Sequence, residues 1–264
     1  SAEAMLADPS IDIVYIAVPN DIHHHYIMAA LAAGKHVLCE KAITTSGDEL
    51  AEELALAKEK GLVLEEAMTI YNMPLYHRLK EIVASGKLGK LKMIQAPFGS
   101  YKDPDPQNRF FNPDLGGGAL LDIGTYAVSF ARFFMSESPK VEFSSMKPFE
   151  TGVDEQSVTI LRNPADEMAS VILTFQAKMP KTGIVAFEEG YITVEEYPRA
   201  DKATIHYLDG SNEFIETGDT TQALNYEIAN MIKTIEGTSK GSIHLTSDVI
   251  AVLDQMQQFW KQTK

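Results

Sequence analysis

Short apolar runs alternating with stretches of helical periodicity restrict the first part of the chain to one kind of architecture. Ile11-Asp12-Ile13-Val14-Tyr15-Ile16-Ala17-Val18 is β-branched and almost continuously apolar, and Pro19-Asn20 stops it. Runs of this kind are strands buried on both faces, as parallel-sheet strands are. Asp21 to Ala33 then carries Ile22, Tyr26, Ile27, Ala30 and Leu31 at helical spacing, with Gly34 placed as a C-cap. A second strand centred on Val37-Leu38-Cys39 follows. Thr45-Ser46 opens a helix over Asp48 to Lys60, and Leu62 to Ala67 is a third strand. Strands and helices alternating at these lengths predict βαβ units on a parallel sheet.

The pattern changes further on. Tyr71 to Ser85 reads as a helix, Leu91 to Phe98 as extended chain, and Lys102 to Leu115 as a loop rich in Pro, Asp and Asn. Gly116-Gly117-Gly118 introduces a helix from Ala119 to about Met135. Strand-like runs then follow closely: Val141 to Phe143, Gln156 to Leu161, Met168 to Phe175, Gly183 to Phe187, Tyr191 to Glu195, Ala203 to Tyr207 and Glu213 to Glu216. Turn signals such as Asn163-Pro164 and Asp209-Gly210 join them, which predicts an antiparallel or mixed sheet. Thr221 to Glu236 and Thr246 to Lys261 close the chain as helices. The expected fold class is therefore α/β followed by α+β, with the boundary near Ala67 to Tyr71.

The charge balance removes one class of partner. Acidic residues number 37 against 23 basic ones, giving a net charge of −14, and no block of Lys and Arg is present to neutralise phosphates. No nucleic-acid partner is expected. The single cysteine excludes a disulfide framework and a cysteine-built zinc site. No apolar run approaches the ~18 residues of a membrane span, so a soluble, cytoplasmic protein with no membrane partner is expected. The opening Ser1-Ala2-Glu3-Ala4-Met5-Leu6-Ala7-Asp8 reads as the tail of a helix, without an initiator Met or a cap. These residues are expected to be the remainder of a longer chain.

Chemistry-bearing residues gather in three clusters. In His36-Val37-Leu38-Cys39-Glu40-Lys41-Ala42, a strand delivers Glu40 and Lys41 at its carboxyl end, where open α/β sheets bind ligands. A lysine there handles a proton if desolvation lowers its pKa, or it simply pairs with a carboxylate. In Pro19-Asn20-Asp21-Ile22-His23-His24-His25, successive helical side chains point about 100° apart. The three histidines therefore cannot share an ion, and no metal is expected. A polar turn at a strand's carboxyl end suits the ribose and nicotinamide of a dinucleotide, with Asn20 or Asp21 capping the helix. In the third cluster, Gly116 to Tyr126, the glycines allow close approach of a ligand and expose helix N-terminal amides. Asp122 and Tyr126, at i and i+4, share a face. They form an acid–base pair provided a cation, here Lys41, lowers the phenol from its usual value of about 10. The plain alternative is a capped helix start with a half-buried tyrosine.

Ile13 to His23, Ala33 to Lys41 and Gly116 to Tyr126, with Thr151-Gly152-Val153-Asp154 as a weaker fourth stretch, resemble in order and spacing the Gfo/Idh/MocA family of nicotinamide-dependent oxidoreductases. The resemblance runs over essentially the whole chain. Tyr126, where many members carry His, and the loop Asn108 to Gly118 look like the dihydrodiol dehydrogenase and glucose–fructose oxidoreductase branch. The resemblance implies a Rossmann domain at 1–69 and, at 70–264, an open-faced, mainly antiparallel sheet domain that binds substrate. That second domain commonly forms the subunit interface, so a homo-oligomer (dimer or tetramer) is expected, and the last helix can pack back on the first domain. The implied reaction is hydride transfer between the nicotinamide of NAD or NADP and a secondary carbinol of a sugar, polyol or dihydrodiol. Lys41, Tyr126 and Asp122 would be catalytic. Pro19, Asn20, His23, Glu40 and Lys41 would contact the cofactor, with Tyr101 and Arg109 near the substrate.

Two departures qualify these expectations. Ala42 stands where the family usually has proline, whose fixed φ stiffens the strand exit. The G-x-G-x-x-G turn that places a pyrophosphate on a helix N-terminus does not occur, and Gly116 to Gly118 has the wrong spacing for it. The Rossmann domain is thus expected to be incomplete, with the Ile11 strand as an exposed edge. Such a truncated chain would bind dinucleotide poorly and be inactive. A reading from another class is a non-catalytic dimeric scaffold built on the same fold.

Overall fold

The computed structural model describes residues 1–262 of the 264. After a short helix α1 (Ala2–Leu6), strands β1 (Ile13–Ile16), β2 (His36–Glu40) and β3 (Leu64–Ala67) form a parallel sheet in the order β1-β2-β3. Helices α2 (His23–Ala32) and α3 (Gly47–Lys60) make the crossovers. Ser46 caps α3 by accepting from the Glu49 amide, and Gly61, at φ 65°, ends it in the left-handed conformation that glycine tolerates. Val14, Val37 and Leu64 lie in register across the three strands. Among the described residues β1 is a sheet edge.

The helix expected over Tyr71 to Ser85 is broken. It begins as α4 (Thr69–Asn72), stops at Met73, and restarts at Pro74 as α5 (Pro74–Ala84). Met73 is extended (ψ 135°) because the proline ring disfavours a helical residue before it. Pro74 itself is well placed at the first helical position.

Strands β4 (Leu91–Gly99), β5 (Lys140–Pro148), β6 (Asp154–Arg162), β7 (Met168–Thr174), β8 (Gly183–Phe187), β9 (Gly190–Val194), β10 (Lys202–Tyr207) and β11 (Asn212–Glu216) build the second sheet. Its order is β11-β10-β9-β8-β4-β7-β6-β5, with β4 and β7 parallel and the other neighbours antiparallel. One face is covered and the other is open. Phe143, Ile160, Ser170, Gln95, Ile184, Thr193, Thr204 and Phe214 oppose one another strand by strand, and directly opposed residues share a face. Phe143 and Phe214 at its ends are largely exposed.

The covered face packs on α6 (Thr125–Phe134) and on α8 (Ile243–Gln262). The helix predicted over 119–135 opens with a π-helical turn, Leu120–Gly124, before α6 begins. Aromatic rings fill the layer between α5, α6 and the sheet. Phe130 meets Tyr197 at 4.8 Å, Phe134 at 5.3 Å and Tyr76 at 6.3 Å between centroids. The Tyr76 hydroxyl donates to the Tyr197 carbonyl at 2.5 Å. Helix α7 (Ala223–Ile235) returns to the small sheet, where Met231 packs with Leu38 and Ala67. α8 also reaches back: Asp254 accepts from the Gly47 amide at 2.9 Å, and Thr246 donates to Glu66 at 2.9 Å. One buried cluster therefore runs from β1 through α5, α6 and α8 to β10. No helix among the described residues is long and apolar enough to cross a membrane.

Phe130→Ala removes the ring at the centre of this layer and is expected to cost about 3–5 kcal/mol. Denaturant unfolding measures this, and a loss below about 1 kcal/mol would contradict the packing described.

Candidate active site

β2 is buried through Val37, Leu38 and Cys39 and ends at Glu40, so Lys41 leaves the sheet at its carboxyl end. The Lys41–Ala42 peptide is cis. The Lys41 ammonium donates to the Asp122 carbonyl at 2.7 Å and lies 3.3 Å from Asp122 Oδ1. It also lies 5.0 Å from the centroid of the Tyr126 ring. The structure thus brings together a lysine and a helix start separated by about eighty residues of sequence. Glu40 accepts a short hydrogen bond from the Tyr15 hydroxyl.

A cleft of about 440 Å³ opens beside Lys41. Pro19 and Asn20 line it, as do Glu40, Asp122, Arg109 and the Gly116 to Gly118 turn. Asn20's amide and Arg109's guanidinium have no hydrogen-bond partner among the described residues, although Arg109 stacks over Phe110 at 4.4 Å. A second cleft, of about 580 Å³, is lined by Tyr126 together with Phe98, Lys181, Glu195, Arg199, Asp201 and Lys202. Lys181 pairs with Glu196 and Lys202 with Glu216, whereas the Arg199 guanidinium has no partner among the described residues.

Several expectations are corrected. His23 is fully buried, with Nδ1 2.9 Å from the Ala42 carbonyl and Nε2 2.9 Å from the Val18 carbonyl. A backbone carbonyl stands beside each ring nitrogen, so His23 sits between the two strand exits and neither nitrogen is open to a cofactor. His24 turns instead to Glu53 at 2.9 Å, and His25 packs edge-on to Tyr26. Neither Asn20 nor Asp21 caps α2 with its side chain; a 3₁₀ turn, Asn20–Ile22, leads in. Tyr101 is 59% exposed and lines neither cleft. The amides of the glycine turn are spent internally: Gly117 donates to the Asn112 carbonyl, Gly118 to Phe110 and Leu120 to Asp154.

The phenol is also displaced opposite to expectation. Burial pushes the Tyr126 hydroxyl up to about 12, and the carboxylates of Glu40, Glu227 and Asp122 push the same way. Arg199 is the cation that opposes the rise. Lys41 is not among the charges that displace the phenol; its ammonium donates to the oxygens of Asp122.

Two buried carboxyls around this centre escaped the sequence reading. Glu66 on β3 accepts from the Ile43 amide at 3.0 Å and from Thr246, and burial pushes it up to about 7. Glu227 on α7 has an oxygen with no hydrogen-bond partner among the described residues; burial, then the charge of Glu40, pushes it up to about 8. A signal existed for Glu227, which shares the inward face of α7 with Ala223 and Met231 at spacings of four. Arg199, in a 3₁₀ turn after β9, carried none.

Comparison with known proteins bears on this arrangement. Residues 1–68 match the oxidoreductase family model GFO_IDH_MocA, described as an NAD-binding Rossmann fold, and residues 76–193 match the GFO/IDH/MocA C-terminal domain. D-xylose 1-dehydrogenase (NADP(+)) 2 of Haloferax volcanii is 32% identical over 240 residues, covering 89% of this chain and 73% of that protein. Trans-1,2-dihydrobenzene-1,2-diol dehydrogenase of Xenopus laevis is 30% identical over 229 residues, covering 86% and 68%. The structure of aldose–aldose oxidoreductase from Caulobacter crescentus complexed with glycerol superposes with a TM-score of 0.87 at 20% identity, over 99% of this chain and 81% of that one.

The buried carboxyls make stability depend on pH. Glu227 rises from 4.5 to about 8 on folding, so its contribution is full below 4.5 and is lost as pH climbs through about 8. The melting temperature is expected to fall between about pH 5 and pH 9, and to fall less in Glu227→Gln. Thermal melts across that range check this; an unchanged slope in the variant would contradict it.

Proposed function

The chain belongs to the Gfo/Idh/MocA family of oxidoreductases, and from that premise we propose that it interconverts a secondary carbinol and its carbonyl with NAD or NADP. The observation carrying the proposal is the meeting of Lys41, Asp122 and Tyr126 between two clefts. When bound, a nicotinamide supplies or takes the hydride in this chemistry. Pro19, Asn20, Glu40 and Lys41 would hold that end of it, and the unpartnered Asn20 amide and Arg109 guanidinium leave donors free for a polar ligand in that cleft. His23 acts behind them, fixing the chain on both sides of the cleft floor.

Tyr126, at about 12, is a neutral phenol at physiological pH and so a proton donor to a carbonyl oxygen being reduced. In the oxidation direction the phenol must first lose its proton. The carbinol O–H proton then passes to the phenolate oxygen as the carbonyl forms. Arg199 is the cation that steadies the phenolate once it forms, and Lys41, fixed by Asp122, holds its ammonium 5.0 Å from the ring centroid. The second cleft presents Lys181, Glu195, Arg199 and Asp201 around the Phe98 wall. Such a mixture of charged groups suits a polyhydroxylated sugar or polyol better than an aromatic dihydrodiol. The exposed Met93, Phe143, Val158, Tyr191 and Phe214 on the open sheet face support a homo-oligomer formed through that face.

The test is a screen of the gene product with both cofactors against sugars, polyols and diols. Tyr126→Phe and Lys41→Ala are each expected to lower kcat/KM by about 10²–10⁴. Oxidation should accelerate as pH rises, because the phenol must ionise, and Tyr126→Phe should flatten that rise. Activity within about threefold of wild type in Lys41→Ala would contradict the role given to Lys41, and a wild type that turns over no carbinol with either cofactor would leave the scaffold reading in its place.

A further inference from the structure

The wide turn that presents Asp122 to Lys41 is held by a residue that lines neither cleft. Asp154, at the start of β6, is 8% exposed, and its Oδ2 accepts from the Leu120 amide at 2.8 Å. Leu120 begins the π-helical turn whose third residue is Asp122. Gly118, at φ 117°, lies so close that a Cβ there would sit 2.3 Å from Asp154 Oδ1. The loop leading to Asp154 grips the same region from the other side. Thr151 donates to the Phe111 carbonyl at 2.5 Å, and the Phe149 ring packs on Phe111 at 4.3 Å.

A buried carboxyl costs stability unless its partners hold it, and an apolar side chain would fill the space more cheaply. Its use here is register. A helix that began one residue differently would turn the Asp122 carbonyl away from the Lys41 ammonium, and with it both oxygens that fix the charge.

We infer that Asp154 is a positioning residue for Lys41: its carboxyl clamps the first amide of the π-helical turn, and the turn aims Asp122 at the ammonium. This rests on the proposed function for its catalytic consequence, but its structural half is measurable without cofactor or substrate. A shielded, hydrogen-bonded ammonium exchanges its protons slowly enough to give a resolved hydrogen–nitrogen NMR signal, and Lys41→Arg assigns the signal by its loss. Asp154→Ala should abolish or shift the Lys41 signal. Asp154→Asn, which keeps an oxygen acceptor and the volume, should retain it. In the active enzyme Asp154→Ala should lower kcat about tenfold or more at nearly constant KM, with Asp154→Asn recovering most of it. A folded Asp154→Ala with an unchanged Lys41 signal would overturn the inference, as would a folded Asp154→Asn that loses it. Should Asp154→Ala not fold, Asp154→Asn decides alone. A wild-type protein that oxidises no carbinol refutes the functional reading while leaving the NMR comparison intact.

Discussion

One ammonium group joins the two halves of this molecule chemically. Lys41 comes from the end of the small parallel sheet, and its hydrogen bonds land on the turn that starts the helix beneath the large sheet. With the side chains of Lys41 and Asp122 only 15% and 23% exposed, the contact lies outside the regime of surface ion pairs, which contribute about 0–1 kcal/mol. A shielded charge without a partner is costly. The pairing therefore fixes where the strand exit and the helix start stand relative to each other, and the tyrosine one turn on falls within reach of the same charge.

The surroundings of that charge are unusually acidic. Glu40, Asp122 and Glu227 all act on the Tyr126 phenol, and burial adds to them. Two cations, Lys41 and Arg199, stand nearby, one lining each cleft. Carboxylates that hold a phenol protonated favour proton donation, and the charge of Arg199, which opposes the rise, lowers the cost when the proton leaves. A group that must both give and take a proton in a reversible reaction needs both influences.

Most of the fold was legible because it follows from local pattern. The apolar runs at Ile13 to Ile16 and His36 to Glu40, the Ser46 cap and the Gly61 stop need only neighbouring residues to act. The break at Met73 was signalled by Pro74, yet the apolar spacing around it masked the signal. The site was legible in part. Lys41, Asp122 and Tyr126 could be singled out because strand ends and glycine-led helices are where ligands meet backbone, but their meeting is a tertiary fact. What stayed hidden depended wholly on tertiary placement. The inward turn of His23, the internal use of the glycine amides, and the arrival of Arg199 and Glu227 from far along the chain leave no local trace.

The central claim is that Asp122 and Tyr126 act through one shared lysine and not as separate contributors. A double-mutant cycle on kcat/KM with Asp122→Asn and Tyr126→Phe tests it most directly. The account expects strong non-additivity, with a coupling of about 1–3 kcal/mol and a double variant little worse than the more damaging single one. Losses that simply add, within about 0.5 kcal/mol, would mean that the two side chains work independently and that the convergence on Lys41 is only structural.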